Sequence, residues 1–153
     1  MRTPLAFIVS VFVVLACGND NTKLLSRIDG RWQVKTATYL GGLGRDSTAT
    51  LANAFLTFDP CSASTNGGSP SNCQAQYIVN NQAFGFTYQA TNDGKSLYIS
   101  PTSQMSNASY REVADKIAGS YEILTLSDNA LVMRRSLAGL GLPFQTVQFS
   151  ATK

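Results

Sequence analysis

The sequence contains no histidine among its 153 residues. Histidine is the usual general acid–base group near neutral pH, so its absence excludes a Ser-His-Asp triad and a Cys-His dyad. The nine acidic residues show no D-x-D or E-x-x-E spacing, and most of them stand in turns or at helix caps, where bonds to the backbone explain them. We therefore expect a protein that is not an enzyme and that uses no metal ion or cofactor.

Charge is also scarce, since charged residues make up 14% of the chain and the formal net charge is +3. Arg134-Arg135 is the only adjacent basic pair. Without a basic cluster to meet a phosphate backbone, we expect no nucleic-acid partner. Threonine, serine, asparagine and glutamine are common instead, which favours a secreted β-protein over a helical one.

Long apolar runs are missing except near the amino end, where Arg2 precedes the stretch LAFIVSVFVVLA. A positive charge followed by a short apolar stretch is typical of a signal peptide. About 12 residues at roughly 1.5 Å each span about 18 Å, short of the roughly 30 Å of a bilayer core. Residues 1–16 are therefore predicted to be a signal peptide rather than a membrane anchor.

The signal ends in Val14-Leu15-Ala16-Cys17, which resembles the lipobox of bacterial lipoproteins. The resemblance implies cleavage before Cys17, lipidation of Cys17 and attachment to the membrane through it. It divides the chain into a lipidated tether over 17–23 and a folded domain over 24–153. By resemblance to enterobacterial sorting, in which an aspartate after the cysteine retains a lipoprotein at the inner membrane, Gly18 implies the outer membrane of a bacterial cell envelope. The alternative is a plain signal peptide with an incidental cysteine.

The chain has three cysteines. With Cys17 assigned to lipid, Cys61 and Cys73 form an even pair in an oxidising compartment. Turn-forming residues fill the segment between them. We predict a disulfide that closes a loop of about 13 residues and contributes on the order of 3 kcal/mol. A redox or metal pair is the alternative, and it lacks C-x-x-C spacing.

Alternation of apolar and polar residues predicts strands along most of the chain. Trp32, Val34, Thr36 and Thr38 are expected to face one way in the first strand. Eight strands are predicted, over 31–38, 54–59, 74–80, 84–91, 96–100, 121–126, 130–135 and 144–152.

Turn and cap signals separate these strands. Asn81-Gln82 and Asp93-Gly94 are predicted hairpin turns. Ser109 begins an S-x-x-E capping box, which predicts a helix that ends by Ile117, before Gly119. Strands spaced by roughly 8–14 residues with short turns predict an antiparallel barrel or sandwich. Strands paired in sequence order close most simply as an up-and-down barrel, so we expect an all-β fold of about eight strands with one short helix.

Gly30-Arg31-Trp32 at the start of the first strand resembles the G-x-W motif of lipocalins and their calycin relatives. The stretch from Tyr121 to Arg135 is similar to lipocalin-like lipoproteins of Bacteroidetes-type bacteria. The resemblance implies a lipocalin-like barrel in which Trp32 closes one end. It also implies that an arginine of a late strand, Arg134 or Arg135, packs over the Trp32 ring. Another antiparallel barrel or a sandwich is the alternative.

An eight-stranded barrel has an interior just wide enough for side chains or one small ligand. The strand aromatics Tyr77, Phe84, Phe86 and Tyr88 are our candidates for lining a pocket for a small hydrophobic or amphiphilic ligand. The alternative is that they fill a closed core. In that case the protein would be an envelope interaction module, an assembly factor or an enzyme inhibitor. Its best contact segment would then be Leu137-Ala138-Gly139-Leu140-Gly141-Leu142, which is equally suited to cover a pocket.

Overall fold

The computed structural model describes residues 20–42, 46–61, 73–91, 94–102, 108–140 and 143–153. These residues form a closed antiparallel barrel of eight strands in sequence order, and the last strand pairs with the first. The fold is the predicted all-β up-and-down barrel, and the sandwich alternative is wrong. It has two helices rather than the one that the sequence predicts. The strands are β1 Gly30–Leu40, β2 Ser47–Phe58, β3 Cys73–Val79, β4 Gln82–Thr91, β5 Ser96–Pro101, β6 Gly119–Leu126, β7 Ala130–Ser136 and β8 Thr146–Thr152; the helices are α1 Asp20–Ile28 and α2 Ala108–Ile117.

The strand alternation places one continuous hydrophobic core inside the barrel. Strand β4 shows this most clearly, because Phe84, Phe86, Tyr88 and Ala90 are buried while the residues between them are less so. That is the alternation that the sequence predicts for this segment. Burial of these side chains inside a closed sheet, which leaves no unpaired edge, stabilises the fold.

Helix α1 closes one end of the barrel. Its apolar residues Leu24, Leu25 and Ile28 are buried, and Trp32 Nε1 donates a hydrogen bond to the carbonyl of Ile28 at 2.6 Å. The helix begins at Asp20, four residues before the predicted start of the domain at Leu24. Residues 20–23 are therefore part of the folded domain as well as of the predicted tether. The proposed signal peptide and Cys17 lie outside the described residues.

Helix α2 connects β5 to β6 and covers the opposite end. Its bounds agree with the predicted helix to within one residue. Tyr110, Ala114 and Ile117 are buried against the barrel, and the Tyr110 hydroxyl donates a hydrogen bond to the carbonyl of Gly85. Within the described ranges, no helix has the length and apolar content needed to cross a bilayer.

The disulfide prediction is confirmed, because Cys61 and Cys73 are bonded with their Cα atoms 5.6 Å apart. The turn between β3 and β4 lies one residue earlier than predicted. Asn80 and Asn81 have φ angles of 50° and 63°, the pair of left-handed residues that a type I′ hairpin requires. Strand β2 is longer than predicted, since it begins at Ser47 rather than at Ala54.

Candidate functional site

A cavity of about 220 Å³, which we call the inner cavity, lies between α2 and the barrel at the α2 end. Most of its lining is apolar, and it comes from β1, β2, β3, β8 and α2. The lining residues are Ala37, Tyr39, Ala49, Leu51, Tyr77, Val79, Val113, Lys116, Ile117 and Phe149. An apolar chamber of this kind, inside a barrel mouth, is suited to a small apolar group.

A second cavity of about 250 Å³, which we call the arginine cavity, lies beside the first. The two share Tyr39 and Lys116, so they adjoin beneath the same face of α2. Each is a little smaller than the roughly 300–1,000 Å³ of typical ligand pockets, which points to a small ligand. The arginine cavity is lined by Tyr39, Glu112, Asp115, Lys116, Arg135, Leu137 and Val147.

Arg135 is the one charged side chain that is buried in the part of the chain that the structure describes, with 4% of its surface exposed. Its Nη2 donates a hydrogen bond to the backbone carbonyl of Asp115 at 3.0 Å, which ties β7 to α2. Its Nε and Nη1 are buried and have no acceptor among the described residues. Buried donors are normally satisfied, so two such nitrogens on one guanidinium are exceptional. The neutral Tyr121 hydroxyl is a side-chain group that interacts with this guanidinium.

Two buried phenols at this end, those of Tyr77 and Tyr121, have raised pKa values and are neutral at physiological pH. Burial raises the pKa of Tyr77, with a smaller contribution from Tyr39. Burial also raises the pKa of Tyr121, although the neighbouring Arg135 guanidinium acts in the opposite direction. The Tyr121 hydroxyl donates to the carbonyl of Ile117 at 2.7 Å. Tyr77 and Tyr121 therefore offer neutral polar groups rather than a counter-charge for Arg135.

Of the four predicted ligand-binding residues, Tyr77 lines the inner cavity, whereas Phe84, Phe86 and Tyr88 line neither cavity. The rings of Phe84 and Phe86 lie 6.0 and 5.9 Å from that of Tyr110 on α2. They therefore fill the core beside the cavities and help to seat the helix.

Tyr88 lies at the α1 end of the barrel. Its ring packs edge-on against Phe58 with the centroids 5.0 Å apart, and its hydroxyl donates to the carbonyl of Asp59 at 2.7 Å. Burial, reinforced by the charges of Asp29 and Asp59, raises the pKa of Tyr88 to about 12. These contacts give Tyr88 a packing role at the closed end.

The predicted structural motif of Gly30, Trp32 and Arg134 needs one correction. Trp32 is fully buried at the α1 end, but the cation over its ring is Lys153, whose Nζ lies 4.7 Å from the ring centre. Strand β8 ends beside the start of β1, where Gln33 faces Thr152, and this pairing brings Lys153 to the tryptophan.

Neither arginine of β7 reaches Trp32. Arg134 faces outward and binds Glu122 at 2.7 Å. Arg135 faces inward, and its guanidinium carbon lies 6.0 Å from the centre of the Tyr121 ring. The reason is the direction of β7, which carries both residues toward the α2 end, opposite to Trp32.

The sequence pattern missed Ala37 and Tyr39 because of an irregularity in β1. The register with both neighbouring strands shifts between Val34 and Thr36. A bulge of this kind exchanges the two faces of a strand, so Ala37 is buried while Thr36 is only partly so. Thr36 and Thr38, which were expected to continue the inward face of Trp32, therefore give way to Ala37 and Tyr39. The alternation of apolar and polar residues in β1 contains no signal for this reversal of the inward and outward faces.

The predicted contact segment 137–142 is only partly described. Leu137 is buried and lines the arginine cavity, whereas Leu140 is 54% exposed; residues 141 and 142 lie outside the described residues. Within the described ranges, no three or more cysteine, aspartate or glutamate side chains are grouped so that they could hold a metal ion.

The fold is similar to that of a lipocalin-like protein from Bacteroides uniformis, with a TM-score of 0.52 and 13% sequence identity. The alignment covers 83% of this chain and 98% of that one. Together with the closed eight-stranded barrel, this similarity shows that the chain has a lipocalin-like fold. No protein-family model matches the sequence, and no curated protein matches it.

Proposed function

We propose that this lipocalin-like protein is a non-catalytic binding protein that holds a small hydrophobic or amphiphilic ligand at the α2 end of its barrel. The observation that carries the proposal is the inner cavity, an apolar chamber of about 220 Å³ between α2 and the barrel. An apolar group that fills it leaves water, and this burial stabilises the complex by about 25 cal/mol per Å² of apolar surface. At the opposite end, α1 and Trp32 pack into the barrel. The cleft of about 310 Å³ that remains beside α1 is lined by the charged residues Asp20, Lys23 and Arg27 as well as by apolar ones.

The proposal includes the cellular localisation that the amino-terminal sequence indicates. The lipobox resemblance supports a lipid anchor on Cys17 in the bacterial envelope, with the outer membrane favoured. Several acyl chains make a stable anchor at about 0.8 kcal/mol per buried methylene. Since helix α1 begins at Asp20, the linker to the anchor would be short. The barrel would then stand close to a membrane surface, where apolar ligands are found.

The binding proposal is tested with the neutral fluorescent probe N-phenyl-1-naphthylamine. Wild-type protein is expected to bind it at one site with enhanced fluorescence. Ala37→Leu, which adds bulk inside the inner cavity, is expected to weaken binding by about tenfold or more. Ala83→Leu makes the same change on the exposed face of β4 and is the matched control. Circular dichroism confirms that both variants are folded.

A wild-type protein that gives no fluorescence enhancement would overturn the proposal, as would equal binding by wild type and Ala37→Leu. Either result would favour the second candidate, a non-enzymatic interaction module of the envelope. The observation that supports that candidate is the exposed side chain of Leu140, which follows the cavity-lining Leu137 by three residues. Replacing the connection between β7 and β8 with a short turn would then be expected to abolish partner binding.

A further inference from the structure

We infer that the ligand is an anionic amphiphile whose acidic head group binds Arg135 in the arginine cavity while its apolar part occupies the inner cavity. This inference rests on the proposed function and specifies the class of ligand. A long-chain carboxylate is the simplest molecule of that class.

The first argument is the unmet hydrogen-bonding capacity of Arg135. A guanidinium has five N–H donors, is always charged and can bind a carboxylate through two parallel hydrogen bonds in a bidentate geometry. Here one donor atom, Nη2, has a backbone acceptor, while the buried Nε and Nη1 have none among the described residues. A buried cation without acceptors destabilises a fold. An anion held against the guanidinium would supply acceptors through charge-assisted hydrogen bonds.

The second argument is that the surroundings are shaped to admit the arginine side chain. Arg135 is the third inward-facing residue of β7, after Leu131 and Met133, which precede it at alternate positions on the same face. Gly119, with a φ of +143°, lies against it, and a Cβ atom there would come within 2.7 Å of Arg135 Cδ. A side chain at position 119 would therefore displace the arginine.

The third argument is that no neighbouring group neutralises Arg135. Glu112 and Asp115 line the same cavity from α2, but both are exposed and, among the described residues, Arg135 forms no ion pair with either. Glu112 instead binds Lys116 at 2.8 Å. Tyr121 is neutral and gives its proton to the carbonyl of Ile117. Among the described residues, no carboxylate therefore lies within ion-pair distance of the guanidinium, and a ligand anion would supply one.

The fourth argument is the arrangement of the two cavities. They share Tyr39 and Lys116, so they adjoin, and we infer that one molecule occupies both. The arginine cavity contains the cationic guanidinium, while the inner cavity is lined mainly by apolar side chains. This arrangement matches a molecule with an anionic head and a short apolar tail, and it discriminates against a neutral alcohol of the same length.

The test measures displacement of N-phenyl-1-naphthylamine by decanoate and by decanol. Wild-type protein is expected to bind decanoate about tenfold or more tightly than decanol, the scale of a charge-assisted hydrogen bond. Arg135→Met is expected to bind the two equally and to retain the probe. Arg134→Met removes the neighbouring, outward-facing charge and is expected to keep the preference for decanoate. Acetate, which has the head group without the tail, is expected to displace no probe at matched concentrations.

Thermal unfolding provides a second measurement on the same variants. Free Arg135→Met is expected to melt at or above the wild-type temperature, because it no longer buries a cation without acceptors. Decanoate is expected to raise the melting temperature of wild type and of Arg134→Met more than that of Arg135→Met.

Probe binding with no preference for decanoate, or a preference that survives Arg135→Met, would overturn this inference and leave the proposed function intact. Failure of the wild type to bind the probe, decanoate and decanol would overturn the proposed function and this inference with it.

Discussion

The indole nitrogen of Trp32 donates a hydrogen bond to the carbonyl oxygen of Ile28 at 2.6 Å, and both residues are fully buried. Ile28 is the last residue of α1, and its carbonyl is one of those that a helix leaves without an internal partner. The first strand of the barrel therefore caps the helix that closes the barrel. Lys153 Nζ lies over the indole ring, so three segments of the chain meet at this tryptophan.

We predict that Trp32→Phe lowers the free energy of unfolding by about 1–3 kcal/mol, because the buried carbonyl of Ile28 loses its donor. Urea unfolding followed by circular dichroism measures the change. Gln33→Ala, at the next and only partly buried position, is the control and is expected to change stability by less than about 1 kcal/mol. Equal effects of the two substitutions would contradict the capping role of Trp32.

Loss of the Cys61–Cys73 disulfide is expected to lower stability by on the order of 3 kcal/mol, since it frees a loop of about 13 residues in the unfolded chain. Urea unfolding of the Cys61→Ser, Cys73→Ser double variant measures this. Dithiothreitol is expected to destabilise the wild type to a similar extent and to leave the double variant unchanged. An equal response of both proteins to the reductant would show that the disulfide does not stabilise the barrel.

Stability is expected to fall in alkaline solution. Burial raises the pKa of Tyr88 to about 12 and also raises the pKa values of Tyr77 and Tyr121. Unfolded tyrosines lose their protons near pH 10, whereas these three keep theirs in the fold, so above pH 10 the unfolded state binds fewer protons. The free energy of unfolding then decreases as the pH rises, by about 1.4 kcal/mol per pH unit for each such tyrosine.

Urea unfolding between pH 7 and pH 12 tests this dependence. The tyrosine contribution is expected to be fully present below pH 10 and to be lost as the pH rises toward 12. Tyr88→Phe is expected to make the alkaline slope shallower, although it also removes the bond to the carbonyl of Asp59. A free energy of unfolding that does not change between pH 10 and pH 12 would contradict the burial of these phenols.

Lipidation of Cys17 is predicted to place the full-length protein in the membrane fraction of a bacterial host. Metabolic labelling with palmitate is expected to label the wild type and to leave Cys17→Ser unlabelled. The Cys61→Ser, Cys73→Ser double variant keeps Cys17 and is the matched control for loss of a cysteine. Membrane association and labelling that persist in Cys17→Ser would rule out this anchor.

The fold was largely predictable because the barrel interior imposes alternation on most strands. In β4, every inward residue from Phe84 to Ala90 is apolar or aromatic, so the period and the hairpin signals sufficed. The first half of β2 was not predictable, because its side chains from Ser47 to Thr50 are exposed and the segment is held by backbone pairing with β1. Such pairing leaves little trace in the side-chain pattern.

The candidate site was much less predictable, because it depends on three structural features that the side-chain pattern does not encode. The bulge after Val34 turns Ala37 and Tyr39 inward, and α2 contributes Val113 and Lys116 to the lining. The choice of Arg135 over Arg134 as the inward residue follows from the register of β7 with its neighbours. Of the lining residues, the sequence singles out Tyr77 and the arginine pair, and it places the arginine pair at the wrong end of the barrel.

The most direct test of the account is an NMR titration of the isotope-labelled protein with decanoate. We predict that saturable shift changes concentrate at the α2 end, at Ala37, Tyr77 and Ile117, with a change at the Arg135 side chain. The indole signal of Trp32, the only tryptophan in the chain, should stay unchanged at the closed end. Shift changes confined to the outer surface or to the α1 end, or none at saturating decanoate, would contradict a ligand site beneath α2.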